Sequence, residues 1–169
     1  MRKHMLGGMI LGVLTVLRFM SPVSAEEKLV SYQAMNLELA LKVAQETLKA
    51  CQHDGFQVAV VVVDRAGIVQ ALLRDRLAGI YTPDIAILKA RTALNFHSDT
   101  INLREPTESG NEGSGIRHVP GTLMAAGGVR IEAAGSIVGS LGVSGAPGPK
   151  SDDACARKGL DAVSDILNF

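Results

Sequence analysis

Gln57-Val58-Ala59-Val60-Val61-Val62-Val63-Asp64 runs directly into Arg65-Ala66-Gly67. The run is rich in β-branched residues and too apolar for an exposed edge, so it reads as a central strand. Asp64 and Gly67 take the first and last places of a type I turn. That turn predicts a hairpin whose second strand spans Ile68 to Arg74, which makes the sheet antiparallel at this point.

On the N-terminal side, Asn36 is placed to cap a helix. Leu37, Ala40, Leu41, Ala44, Leu48 and Cys51 repeat at the spacing of one helical face, with Lys42, Gln45, Glu46 and Lys49 on the other and Gly55 as the stop. On the C-terminal side, Thr82-Pro83-Asp84 supplies an N-cap, a proline at the first helical position and an acid in the first turn. This opens a second helix predicted over Pro83 to Phe96. Lys89 and Arg91 fall on that helix, where they serve either a solvated face or a subunit interface.

From His97 to Pro120 periodicity is lost, and Ser, Asn, Thr, Glu and Gly accumulate. A connection of that length is uncommon in a compact domain unless it is functional or partly helical. Beyond it, Leu123 to Ala125, Val129 to Ala133 and Ser136 to Ser144 read as strands, the last two joined by a tight turn at Ala134-Gly135. Ser151-Asp152-Asp153 opens a final helix with Cys155, Leu160, Val163 and Leu167 inward. The order is helix, two strands, helix, long connection, three strands, helix. It predicts an α+β fold whose sheet is mostly antiparallel with helices on its faces, rather than a doubly wound parallel sheet.

The N-terminus has the layout of a secretory signal peptide. Arg2 and Lys3 precede an apolar run from Met5 to Leu17, and Val23 and Ala25 put small residues before the expected cleavage point. The run is short of the roughly 20 residues needed to span a bilayer, and Arg18 interrupts it. We therefore expect residues 1–25 to be removed, residues 26–169 to form one domain in the periplasm or outside the cell, and no transmembrane anchor in the mature form. Removal takes three of the 17 basic residues and none of the 17 acidic ones, which leaves a net charge of −3 and nothing to suggest a nucleic-acid partner. Cys51 and Cys155 would then meet an oxidising compartment, where they either pair or stay as two buried thiols.

Most familiar motifs are incomplete. Gly113-Ser114-Gly115-Ile116-Arg117-His118 and the Gly139, Gly142, Gly145, Gly148 series complete neither a dinucleotide fingerprint nor a Walker loop. Gly142-Val143-Ser144-Gly145 lacks the glycine that a nucleophile elbow needs, Ala146 standing in its place. Zinc spacings and C-x-x-C-H are absent, so covalent haem attachment is excluded. His97 and His118 bracket the aperiodic segment, and an imidazole there can ligate iron or transfer protons near neutral pH.

Gly127-Gly128-Val129 through Gly135-Ser136-Ile137-Val138-Gly139-Ser140-Leu141-Gly142-Val143-Ser144-Gly145-Ala146-Pro147-Gly148, followed by Asp152-Asp153-Ala154-Cys155-Ala156, closely resembles the GlcG/HbpS family. Val60 to Gly67, Lys89 to Ala93 with Phe96 and Thr100, and Arg117-His118-Val119-Pro120-Gly121 are similar to further segments of it. The likeness covers roughly Leu37 to Ile166. Arg130 departs from it, since many members place proline there. The resemblance implies a five-stranded antiparallel sheet with helices on both faces, a profilin-like three-layer sandwich. It also implies assembly into homo-oligomers and, in some members, haem bound non-covalently between subunits.

A porphyrin needs an apolar slot, an axial donor and cations for its propionates. Phe96, Ile116, Leu123 and Met124 are available to line such a slot, and Arg117 or Arg104 to neutralise. His118 ranks first as axial donor, because the rigid Val119-Pro120-Gly121 holds its backbone. His97 ranks second, with Thr100 as a weaker oxygen donor. The leading expectation is an exported, non-enzymatic haem binder. The alternatives are an oligomeric interaction protein without a small ligand, and an accessory enzyme acting on a small organic acid, for which no catalytic pair is identifiable.

Overall fold

The computed structural model describes residues 30–167, so the expected leader lies outside the described residues. The element order is α1 (Leu37–His53), β1 (Ala59–Asp64), β2 (Val69–Arg74), α2 (Thr82–Asn95), α3 (Thr100–Leu103), a 3₁₀ helix (Glu112–His118), β3 (Gly128–Ala133), β4 (Ser136–Ser144), α4 (Pro149–Asp161) and α5 (Ser164–Leu167). The strands form one antiparallel sheet in the order β2-β1-β4-β3.

β1 shows why its sequence is nearly all apolar. Val58, Val60 and Val62 pack into a core with Val43, Ala44, Cys51, Cys155 and Ala156 of α1 and α4. The alternate residues Ala59, Val61 and Val63 pack against Ala86 and Ala90 of α2. A strand buried on both faces cannot alternate apolar with polar, because both faces are covered. The hairpin turn forms as expected: Gly67 N–H donates to the Asp64 carbonyl (3.0 Å), and Asp64 Oδ1 accepts from Ala66 and Ile68. Ala134 and Gly135 both take positive φ (47° and 75°), the geometry of the two-residue turns that match strand twist.

Where α2 passes over β3 and β4, its backbone lies directly on glycines of the sheet. A Cβ on Gly142 would collide with the Ala86 carbonyl, and one on Gly128 with the Lys89 carbonyl and the Thr100 methyl. Ser140 Oγ closes the contact by donating to the Ala90 carbonyl (2.7 Å). On the other face Gly159 of α4 sits against Thr47 of α1, and a disulfide joins Cys51 to Cys155 with their Cα atoms 5.2 Å apart.

Four expectations are corrected. The sheet has four strands among the described residues, not five. Leu123 donates its N–H to Thr92 Oγ1 of α2 (2.8 Å) instead of joining a strand ladder. The outer edge of β3 is closed by side chains, Gly128 N–H on Thr100 Oγ1 (2.8 Å) and Arg130 N–H on Asp99 Oδ1 (3.1 Å). The buried stripe of α1 is Ala40, Val43, Ala44, Thr47 and Cys51, while Leu37 and Leu41 are 61% and 40% exposed, because α4 engages the Val43–Thr47 side. α2 begins at Thr82, whose hydroxyl donates to Gly79 O (2.8 Å) instead of capping, and ends at Asn95, with Phe96 as its C-cap. α4 begins at Pro149, which puts Asp152 and Asp153 inside its first turns, where both are buried. The long connection is partly helical, one of the two alternatives its length left open.

Candidate functional site

The end of α2 is where the chain does something unusual. Ser98 N–H donates to the Ala93 carbonyl (3.1 Å) and His97 N–H to the Leu94 carbonyl (3.2 Å). This is the paired Schellman closure, and it places residue 97 in the left-handed region where glycine is the usual occupant. Here the occupant is histidine, at φ 47°. A side chain held there against its own preference marks a candidate functional position.

His97 borders a groove of about 460 Å³ between the α2 exit, the β1–β2 turn and β4. Arg65 and Arg91 flank it, and Ile68, Leu94 and Ile137 supply apolar surface. Among the described residues, each guanidinium is anchored by one donor. Arg91 Nε donates to the Gly67 carbonyl (2.9 Å), and Arg65 Nη1 to the Ile137 carbonyl (2.8 Å). Arg65 also lies 4.9 Å from the centre of the Tyr32 ring, within cation–π range. The groove thus sets one imidazole and two guanidiniums beside an apolar wall, a combination suited to a flat apolar ligand carrying anionic groups.

Behind the groove, Asp99 ties the α2 exit to the sheet and to α4. Its Oδ1 accepts from Arg130 Nε (3.1 Å) and its Oδ2 from Arg157 Nη2 (3.0 Å). Burial works to raise its pKa, but the donors from Arg130 and Arg157 outweigh it and hold the carboxyl below its ordinary value. Arg130, the residue that departs from the family pattern, also donates to the His97 carbonyl (3.2 Å) and pairs with Glu132 (3.0 Å).

Of the residues proposed from sequence for a haem site, His97 lines this groove and the others do not; Arg91, read as solvated or interfacial, lines it too. Phe96 is half-buried, and Met124 is buried. Thr100 is fully buried, its Oγ1 engaged with the N–H and carbonyl of Gly128. His118 ends the 3₁₀ helix and is exposed. Arg117 donates to the carbonyls of Thr107 and of Arg104 (2.7 Å to the latter), which pins the long connection to itself. Lys89, read as solvated or interfacial, is only 2% exposed and faces Asp152. Sequence reasoning missed Arg65, Arg91, Ile68, Leu94 and Ile137 as one constellation. The turn motif located Arg65 and Ile68 without showing that the α2 exit lies beside them. Among the described residues, no three His, Cys, Asp or Glu side chains gather as a metal-ion site, and no helix is long and apolar enough to cross a membrane.

Residues 35–161 match the family described as haem degrading protein HbpS-like. Among solved structures, a double-mutant form of HbpS from Streptomyces reticuli is 35% identical, with a TM-score of 0.75 over 85% of this chain and 97% of that one. The PduOC–haem complex superimposes with a TM-score of 0.72 at 23% identity, over 77% of this chain and 95% of that one. The Klebsiella pneumoniae protein ORFY does so with a TM-score of 0.78 at 24% identity, over 83% and 98%. Among curated proteins, none matches the chain by sequence. The family match over residues 35–161 and the 35% identity to HbpS across nearly all of that chain lead to one conclusion: the chain belongs to the HbpS-like family.

Proposed function

We propose that this protein binds haem non-covalently in the groove beside His97, with the His97 imidazole as axial donor and Arg65 and Arg91 facing the propionates. The observation that carries the reading is the left-handed histidine at the α2 terminus, set against two guanidiniums and an apolar wall. Bound haem would supply an iron centre. The chain's own part is to ligate it, balance its carboxylates and cover one face of the ring. His118 led the sequence-based ranking, but its place outside this groove, beside which His97 lies, favours His97.

Ile68 is 57% exposed within the groove, and a porphyrin resting there would leave its outer face in water. We therefore propose that two copies close over the ligand. Export after cleavage at Ala25 belongs to the same reading, and intact mass of the secreted protein starting at Glu26 is its test.

Haemin titration followed by Soret absorbance decides the main point. Saturable binding lost or spectrally shifted in His97→Ala, and unchanged in His118→Ala and His53→Ala, is the expected result. Loss in His118→Ala alone would move the site to the 3₁₀ helix. Absence of saturable binding in the parent would favour the interaction-protein reading, for which exposed Leu41 and Ile166, lining a second groove, are the supporting observation. Bleaching of the Soret band on adding peroxide would extend the reading from binding to turnover.

A further inference from the structure

The left-handed turn at His97 needs more than its own amides to hold it. The two Schellman bonds fix the N–H groups of His97 and Ser98, but they leave the His97 carbonyl without a partner inside the helix. Arg130 Nη1 takes that carbonyl at 3.2 Å. Arg130 is itself immobilised from three sides: Nε and backbone N–H both donate to Asp99 Oδ1 (3.1 Å each), and Nη1 meets Glu132 at 3.0 Å. Asp99 is held in turn by Arg157 of α4 at 3.0 Å. A guanidinium is suited to this task because its donors sit in a rigid fork, and one group serves a carboxylate and a carbonyl at fixed spacing.

We infer that Arg130 is a positioning residue for His97, clamping the helix exit so that the imidazole stays at the groove. The inference rests on the reading of His97 as the haem donor, but its physical core, a left-handed turn locked by a sheet residue, exists without any ligand. An L residue prefers right-handed or extended backbone, so loss of the clamp shifts the population away from the observed turn by about tenfold.

The experiment uses Arg130→Met, which keeps the apolar stem and removes the donors, and Arg130→Lys, which keeps a cation for Asp99 but not the fork. Two readouts are taken on each: hydrogen exchange of the His97 and Ser98 amides in the ligand-free protein, and haemin affinity with Soret position. We expect both amides to exchange about tenfold faster in Arg130→Met while the β1 amides hold. We also expect haemin binding to weaken by a similar factor with a shifted Soret band, and Arg130→Lys to fall between. If Arg130→Met does not fold, faster exchange at the same two amides in Arg130→Lys carries the inference. Unchanged His97 and Ser98 exchange in every folded variant overturns it, whatever haemin does. Faster exchange together with a parent and His97→Ala that treat haemin alike would leave the clamp standing and remove the haem-donor reading instead.

Discussion

Lys89 Nζ lies 2.6 Å from Asp152 Oδ2, with the two side chains only 3% and 5% exposed, and the pair joins α2 to α4 across the end of the sheet. Lys89 donates also to the Val143 carbonyl (2.9 Å), and Asp152 Oδ1 accepts from the Ala146 N–H (2.9 Å). Burial disfavours both charges, pushing the Lys89 ammonium down and the Asp152 carboxyl up, and pairing only partly offsets this. Such a pair contributes little net stability while it is whole and costs much when halved. Lys89→Met should therefore destabilise by about 3–5 kcal/mol in urea unfolding, and Lys89→Met with Asp152→Leu should recover part of that loss. A double variant no better than the single would show that the charge left behind is not the source of the penalty.

The disulfide closes a loop of 104 residues between two fully buried cysteines. Loop-closure entropy at that length corresponds to about 4–5 kcal/mol. Cys51→Ala with Cys155→Ala should lower the urea midpoint accordingly. Reductant added to the native protein should act slowly, since the sulfurs are reached only on opening. Identical midpoints with and without the bridge would remove its role in stability.

Gly142→Ala and Gly128→Ala should each cost at least about 1–3 kcal/mol, because the new methyl meets helix backbone that cannot yield without lifting α2 from the sheet. Gly115→Ala, with open space around its Cβ, is the control and should stay within about 0.5 kcal/mol. Thermal unfolding of the three variants is sufficient to compare them.

Acid should loosen the α2 exit. Asp99 has its folded pKa held below the ordinary 3.8, so its contribution is fully present above the unfolded value and is lost as pH falls through the folded one. Parent stability should decline below about pH 4, and Asp99→Asn should flatten that limb while lowering stability at neutral pH. An Asp99→Asn variant with the parent's acid slope would place the loss in other carboxylates.

Sequence by itself determined the order of the three long helices and of the four strands, the Asp64–Gly67 and Ala134-Gly135 turns, the antiparallel sheet and the family. Each of these depends on local chemistry: side-chain period, β-branched runs, and the backbone angles that Asp and Gly permit within a few residues. Tertiary structure decided which face of α1 is inward, that Lys89 is a core residue, and that Thr100 and Asp99, rather than a fifth strand, close the edge of β3. It also decided that His97, and not His118, shares a groove with Arg65 and Arg91. Those outcomes rest on contacts between residues far apart in the chain: Arg65 meets the Ile137 carbonyl 72 positions on, and Lys89 meets Asp152 63 positions on. Nothing in the local pattern of either partner encodes the other. The pairing exists only once the sheet order β2-β1-β4-β3 has brought the β1–β2 turn, the end of α2 and the start of α4 into reach of distant chain.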